Sequence, residues 1–205
     1  MDEDFAGFLE EFGPEIDKRA VPLSRMEQYR EKLPHQLLAY WAEHGWCGYA
    51  DGLFWTVDPQ EYEPVLEAWI GDTPFMEQDA YHVIARSAFG TLYFWGENTG
   101  NSLQLFAPGA YCVPRKSRVV EQNPDFAVQL FFGGLSRRPM DFEGMFTQAK
   151  DKLGLLKDDE MYGFVPALAV GGSASIENVQ RVKAVEHLVL LAQFAPLEVI
   201  TSSSL

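Results

Sequence analysis

The stretch that decides the fold is residues 81–107, YHVIARSAFGTLYFWGENTGNSLQLFA. It holds three short runs rich in β-branched and aromatic residues, at 81–88, 91–97 and 102–107. The runs are separated by Phe89-Gly90 and by Asn98-Thr99-Gly100-Asn101, which are typical turn sequences. The pattern predicts an antiparallel β-meander with one face buried. After Pro108-Gly109, residues 111–114 could add a fourth strand.

Toward the N-terminus the apolar spacing changes to that of helices. Residues 5–12 carry phenylalanine and leucine on one helical face and end at Gly13-Pro14. Three further helices are predicted: one capped at Ser24, one running from about residue 34 to Gly45, and one capped at Asp58 with Pro59 at its first position. We expect these helices to pack on the meander.

Beyond the meander the sequence is mostly helical. A helix is predicted from Asp125 to Phe132, a second follows a cap at Asp141, and a last one covers about 176–194. An extended segment at 161–172 ends in a glycine pair, and residues 201–204 resemble a frayed tail. We therefore predict an α+β protein with N-terminal helices on an antiparallel meander, followed by a mostly helical C-terminal lobe. The predicted division is 1–120 and 121–205.

Net charge is concentrated in the N-terminal part of the chain. Residues 1–80 hold 18 acidic and 5 basic residues, whereas residues 81–205 hold 12 and 11, within a total of −14. A lopsided acidic surface attracts cationic surfaces and repels phosphates over a Debye length of about 8–10 Å. It therefore favours a basic protein partner, although acidic chains are common and the charge could serve solubility alone.

Chemistry-bearing motifs are absent from the sequence. The histidines His35, His44, His82 and His187 have no metal-ligand spacing, the serines form no nucleophile elbow, and the glycine pairs lack a phosphate-loop pattern. Cys47 and Cys112 form no CxxC pair and are expected as buried thiols in a reducing compartment. The sequence thus predicts no catalytic residue, no metal site and no cofactor.

Carboxylates and aromatic rings are crowded into residues 41–79. Six acids lie between Asp51 and Asp72, and Glu63 and Glu67 are spaced as an i,i+4 pair on a solvated helix face. Gly45 to Gly52 is too glycine-rich for regular structure, so Trp46 could be exposed beside acids, as at a protein-binding hot spot. The candidate partner-binding residues are Trp46, Asp51, Glu63, Glu67, Asp72, Glu77 and Asp79. Mg²⁺ binding or glycoside hydrolysis by the six acids between Asp51 and Asp72 is an alternative.

Nucleic acid and membranes are not expected as direct ligands. The two dense basic groups, at 115–118 and 137–138, are too short for the basic stripe that nucleic-acid binding needs. No apolar run approaches the roughly 20 residues of a membrane span, and the acidic start is unlike a secretory signal. The expected location is the cytoplasm.

Several phrases of the chain resemble one family. They are LPxxLLxxW at 33–41, GWCGYxDGLFW at 45–55, EPVLEAW at 63–69, ARSAFG at 85–90 and FWGENTG at 94–100. These phrases resemble the GAD-like domain. Residues 163–172, GFVPALAVGG, with the helix after them are similar to the C-terminal domain that accompanies GAD-like domains in type VI secretion immunity proteins.

The resemblance implies a bacterial cytosolic antitoxin that binds and blocks a cognate secreted nuclease. The nuclease that it implies is a DNase. The resemblance carries no catalytic motif that could be transferred to this chain. Two alternatives stay open: a regulatory scaffold with a partner other than a toxin, and a metal-dependent hydrolase that uses the acids of residues 51–72.

Overall fold

The computed structural model describes residues 2–115 and 119–200. The predicted tail at 201–204 and residues 116–118 of the first basic group lie outside the described residues. The helices are α1 Glu3–Phe12, α2 Leu23–Tyr29, α3 His35–His44, α4 Glu63–Ile70, α5 Phe75–Gln78, α6 Val119–Gln122, α7 Pro124–Gly133, α8 Met145–Leu153 and α9 Ala184–Leu191. The strands are β1 Ile16–Arg19, β2 Trp46–Tyr49, β3 Phe54–Thr56, β4 Tyr81–Ser87, β5 Thr91–Gly96, β6 Gly100–Phe106, β7 Tyr111–Pro114, β8 Glu160–Phe164, β9 Val179–Lys183 and β10 Glu198–Val199.

The main sheet is built around the predicted meander. Its order is β1-β2-β3-β4-β5-β6-β7-β10, with antiparallel neighbours except for β10, which runs parallel to β7. In its centre Ala85 of β4 lies opposite Tyr93 of β5, and Tyr93 lies opposite Gln104 of β6. The predicted α+β class and the four predicted strands are confirmed.

Helices cover both faces of this sheet. Tyr93 points to the face that carries α7, where its ring meets Phe131 at 5.7 Å between centroids. Arg86, next to Ala85 on β4, points to the opposite face and bonds Tyr62 just before α4. Side chains alternate along a strand, so α7 and α4 lie on opposite faces. Helix α1 packs with α7, and α9 packs with α4.

The second part of the chain contains a separate hairpin. Strands β8 and β9 pair antiparallel, with Tyr162 opposite Arg181. The prediction of one continuous helix over about 176–194 is therefore wrong, because residues 179–183 form β9 and the helix begins at Ala184. The valines at 179 and 182 fit a helical spacing, but pairing with a strand some twenty residues earlier overrides it.

Three predicted helix caps are also wrong. Ser24 lies inside α2, whose N-cap is Pro22, and α8 starts from Gly144 rather than from Asp141. Asp58 is buried and accepts a hydrogen bond from Arg25 Nε at 2.9 Å, while α4 begins later at Glu63. Each of the three residues has a side chain that could cap a helix. The backbone nevertheless becomes helical at a different residue in each case.

Candidate functional site

Exposed acids lie on α4, on α5 and in the turn between them. We call Glu63, Glu67, Asp72 and Glu77 the acidic face; all four side chains are exposed. Within the described residues none of them has a lysine, arginine or histidine nitrogen within 4.0 Å. Four like charges without internal counter-ions leave their field available to a cationic partner.

Helix α4 is fixed so that these carboxylates point outward. Val65, Trp69 and Ile70 are buried on its inner side. The Trp69 indole Nε1–H donates to the Leu188 carbonyl of α9 at 3.0 Å. A rigid helix with one buried stripe therefore holds its glutamates toward solvent.

Asp51 belongs to a different surface. It lies in the turn between β2 and β3 with a φ of 57°, and its carboxylate is exposed. Lys150 Nζ of α8 donates to Asp51 Oδ2 at 2.8 Å. The ion pair occupies the carboxylate and links the β2–β3 turn to the second part of the chain, so Asp51 does not join the acidic face.

Asp79 is a structural residue rather than an exposed contact. Only 7% of its surface is exposed, and its carboxylate accepts hydrogen bonds from Thr99 Oγ1 at 2.6 Å, Thr99 N at 2.8 Å and Asn98 N at 3.0 Å. Burial works to raise the pKa of Asp79, but these hydrogen bonds outweigh it, so its pKa is lowered below 3.8. The prediction of Asp79 as a partner contact is corrected by its burial. The Asp79 carboxylate instead stabilises the turn between β5 and β6.

The prediction that Trp46 could be exposed in a loop is wrong, because residues 46–49 of the glycine-rich stretch form the buried strand β2. Trp46 is 4% exposed within β2. Its ring packs edge-to-face on Trp41 at 5.6 Å, and the Arg19 guanidinium lies over it at 5.1 Å. The indole is thus a core ring, stacked under a cation.

The sequence analysis missed Arg86, a buried arginine. Its side chain is 0% exposed, its Nε donates to Tyr62 Oη at 2.7 Å, and its Nη2 donates to the carbonyls of Asp158 at 2.8 Å and Glu160 at 2.7 Å. The only sequence signal is a charged residue inside an otherwise apolar strand, between Ala85 and Ser87. Arg86 ties the main sheet to the segment that leads into β8.

The acids between Asp51 and Asp72 do not converge on one centre. Asp58 pairs with Arg25 and Glu61 with Arg19, while Glu63 and Glu67 face solvent. Nowhere in residues 2–115 and 119–200 do three histidine, cysteine or carboxylate side chains meet as a metal-binding group. Cys47 and Cys112 are both buried as free thiols.

Two of the histidines have local structural partners. His82 lies 2.9 Å from Glu97 on the neighbouring strand end, and His44 lies 3.6 Å from Glu15. His187 is buried on α9, and burial lowers its pKa below 6.5.

In the part of the chain that the structure describes, every helix is too short or too polar to cross a bilayer.

Comparison with known proteins assigns both parts of the chain. A family model described as GAD-like domain matches residues 3–108, and a model described as T6SS immunity protein Tdi1, C-terminal, matches residues 125–195. The crystal structure of Atu4351 from Agrobacterium tumefaciens is similar over 97% of this chain and 93% of that chain, with a TM-score of 0.83 and 19% identity. At that identity the likeness shows the fold. A search of curated proteins finds no match.

Proposed function

This chain belongs to the GAD-like family of type VI secretion (T6SS) immunity proteins. We propose that the effector it neutralises is a nuclease, and specifically a DNase. The observation that carries the proposal is an exposed, unneutralised acidic face on a chain that matches an immunity family. The proposed location is the cytoplasm, where such a nuclease would reach the genome.

Charge complementarity supports a nuclease as the partner. A protein that cleaves DNA has to present a cationic surface to the phosphate backbone. The acidic face offers carboxylates to the same surface, and opposite potentials raise association rates toward about 10⁸–10⁹ M⁻¹s⁻¹ at low salt. An inhibitor that covers the DNA-binding surface needs no catalytic group of its own.

The docking residues of this proposal are Glu63, Glu67, Asp72 and Glu77. Asp51 is left out because Lys150 occupies its carboxylate, and Trp46 and Asp79 because they are buried. We retain the division at residues 120 and 121 as a proposal. It separates a first module, which contains β1 to β7, from a second module, which contains β8, β9 and β10.

The first experiment is co-expression of this chain with the effector encoded beside it, followed by co-purification and a DNA-degradation assay. A stable complex without DNase activity is the expected result. A stable complex in which the partner is not inhibited would favour the scaffold alternative. Free protein beside an active nuclease would refute the proposal.

Charge reversal tests the acidic face directly. In the variant Glu63→Lys/Glu67→Lys/Asp72→Lys, we expect association with the effector to slow by about tenfold or more and to lose most of its salt dependence. The matched control is Glu27→Lys/Glu31→Lys/Asp151→Lys, which changes the net charge equally at exposed acids elsewhere. Stopped-flow association rates at several salt concentrations provide the measurement. Equal rates for the two variants would refute the assignment of this face.

A further inference from the structure

A second charged surface lies on the opposite side of the main sheet. Helix α7 packs against β6. Beyond this helix a groove of about 420 Å³ opens over β6 and β7. Gln104 and Phe106 of β6 and Tyr111 of β7 form its floor, and the segment 138–143 forms the facing wall. This volume is within the range of ligand-binding clefts.

The groove is basic although the chain as a whole is acidic. Arg115 and Arg138 both line it and are both exposed. The Nη2 of Arg115 donates to Gln104 Oε1 at 2.8 Å, which fixes one guanidinium over the floor. Across the ranges 2–115 and 119–200 neither arginine has a carboxylate within 4.0 Å, and Glu143 is the single acid among the lining residues.

The wall that faces the sheet has an unusual backbone. Phe142 and Glu143 adopt left-handed φ values of 51° and 59°, which are strained for residues other than glycine. The Phe142 ring stacks on Phe106 of the floor at 5.7 Å and also packs on Phe164 at 5.0 Å. Core contacts thus hold the wall in a strained conformation that shapes the groove.

We propose that this groove binds an extended, carboxylate-bearing segment of the effector. A planar guanidinium recognises a carboxylate through two parallel hydrogen bonds. Arg115 and Arg138 each supply one guanidinium to the groove. The inference rests on the proposed function, because that function supplies a protein partner. A nucleic acid strand is a less suitable occupant, since the net charge of −14 repels a polyanion on its approach more strongly than a segment with a few carboxylates.

The position of the groove argues for a segment rather than for a globular surface. The acidic face is on the α4 side of the sheet and the groove is on the α7 side, so a compact domain docked on α4 cannot fill both. The floor residue Phe106 belongs to the part matched by the GAD-like model, and the wall at 138–143 belongs to the part matched by the Tdi1 C-terminal model. A segment in the groove therefore contacts both modules at once.

The test compares Arg115→Ala/Arg138→Ala with Arg30→Ala/Lys32→Ala. The control removes two exposed cations elsewhere, so both variants have the same net charge. We expect the groove variant to bind the purified effector at least about tenfold more weakly than the control, as measured by calorimetry. Because Arg138 has no carboxylate within 4.0 Å among the described residues, Arg138→Ala alone removes a cation from the groove without breaking an internal ion pair.

Carboxylate footprinting identifies the occupant. Carbodiimide-driven amidation of effector carboxylates, read by mass spectrometry, should show protection in the complex with the unchanged chain and lose it at one segment in the complex with the groove variant. If the unchanged chain binds and inhibits the effector but the groove variant matches the control, the groove proposal alone is overturned. If the unchanged chain does not bind the effector, both proposals fall. Binding of a short single-stranded DNA oligonucleotide that depends on both arginines would overturn the assigned occupant.

Discussion

Single carboxylates in this chain differ sharply in what they do, and Asp79 is the clearest case. Its neighbour Glu77 is exposed, whereas Asp79 receives hydrogen bonds from the backbone and side chains of Asn98 and Thr99. The lowered pKa of Asp79 means that its ionised form is bound more tightly in the folded state than in the unfolded state. This contribution to stability is complete above the unfolded pKa and is lost as the pH falls through the folded pKa.

We predict that Asp79→Asn lowers the free energy of unfolding by about 2 kcal/mol at pH 7, because the amide cannot accept all of these hydrogen bonds. The difference from the unchanged chain should shrink as the pH falls below about 3.8, where the carboxyl of the unfolded chain takes up its proton. Urea unfolding at a series of pH values measures it. Glu77→Gln is the control and should show no such trend; a pH-independent difference for Asp79→Asn would contradict the argument.

The sequence could not separate these two acids. Residue type and spacing identify Glu63 and Glu67 as a solvated pair, since one helical period decides their face. The role of Asp79 depends on a turn twenty residues later in the chain, and the burial of Trp46 depends on pairing of its strand with β1 and β3. Such contacts are non-local, so composition around either residue points to exposure when the fold provides burial.

Among the elements, strand β2 shows why glycine content misleads. Gly48 lies in the middle of the strand because a Cβ there would come within 2.9 Å of the Trp55 indole. Glycine is used here for close approach of a ring to the backbone, and not for a loop. By contrast, the meander at 81–107 could be predicted from the sequence. Its runs of β-branched and aromatic residues and the turn residues between them both indicate antiparallel strands.

We predict that Gly48→Ala destabilises the fold by about 1–3 kcal/mol, since the added methyl group overpacks the Trp55 ring. Gly7→Ala is the matched substitution in α1, where a Cβ meets nothing within 4 Å. That change should stabilise by about 0.5–1 kcal/mol, because alanine loses less backbone entropy in a helix. Denaturation midpoints of both variants provide the test. A stable Gly48→Ala variant would mean that Trp55 can move aside.

At the scale of the whole molecule, the two modules share one structure. Buried residues from both form a continuous hydrophobic core, and β10 from the end of the described chain pairs with β7 of the main sheet. Arg86 adds hydrogen bonds from β4 to the carbonyls of Asp158 and Glu160. We therefore expect the modules to unfold together in a single transition.

Replacement of the buried arginine should weaken that coupling. We predict that Arg86→Met destabilises the protein by about 3 kcal/mol, because two half-buried carbonyls and the buried Tyr62 hydroxyl lose their partner. Hydrogen exchange in rising urea should then show β8 and β9 opening before β4 and β5, whereas the unchanged chain opens all four together. Arg181→Met, at an exposed arginine 3.6 Å from Glu160, is the control and should cost less than about 1 kcal/mol. Simultaneous opening in the Arg86 variant would show that the core alone joins the modules.

The two outer strands of the main sheet, β1 and β10, have a consequence for how much of this protein a cell can hold. Strand β1 has four residues and an irregular register, and β10 has two. Short or irregular outer strands give another chain little backbone to pair with. An antitoxin has to be present in the cell before its toxin arrives. Short or irregular outer strands disfavour pairing between chains, so the protein can reach a high concentration without forming fibrils.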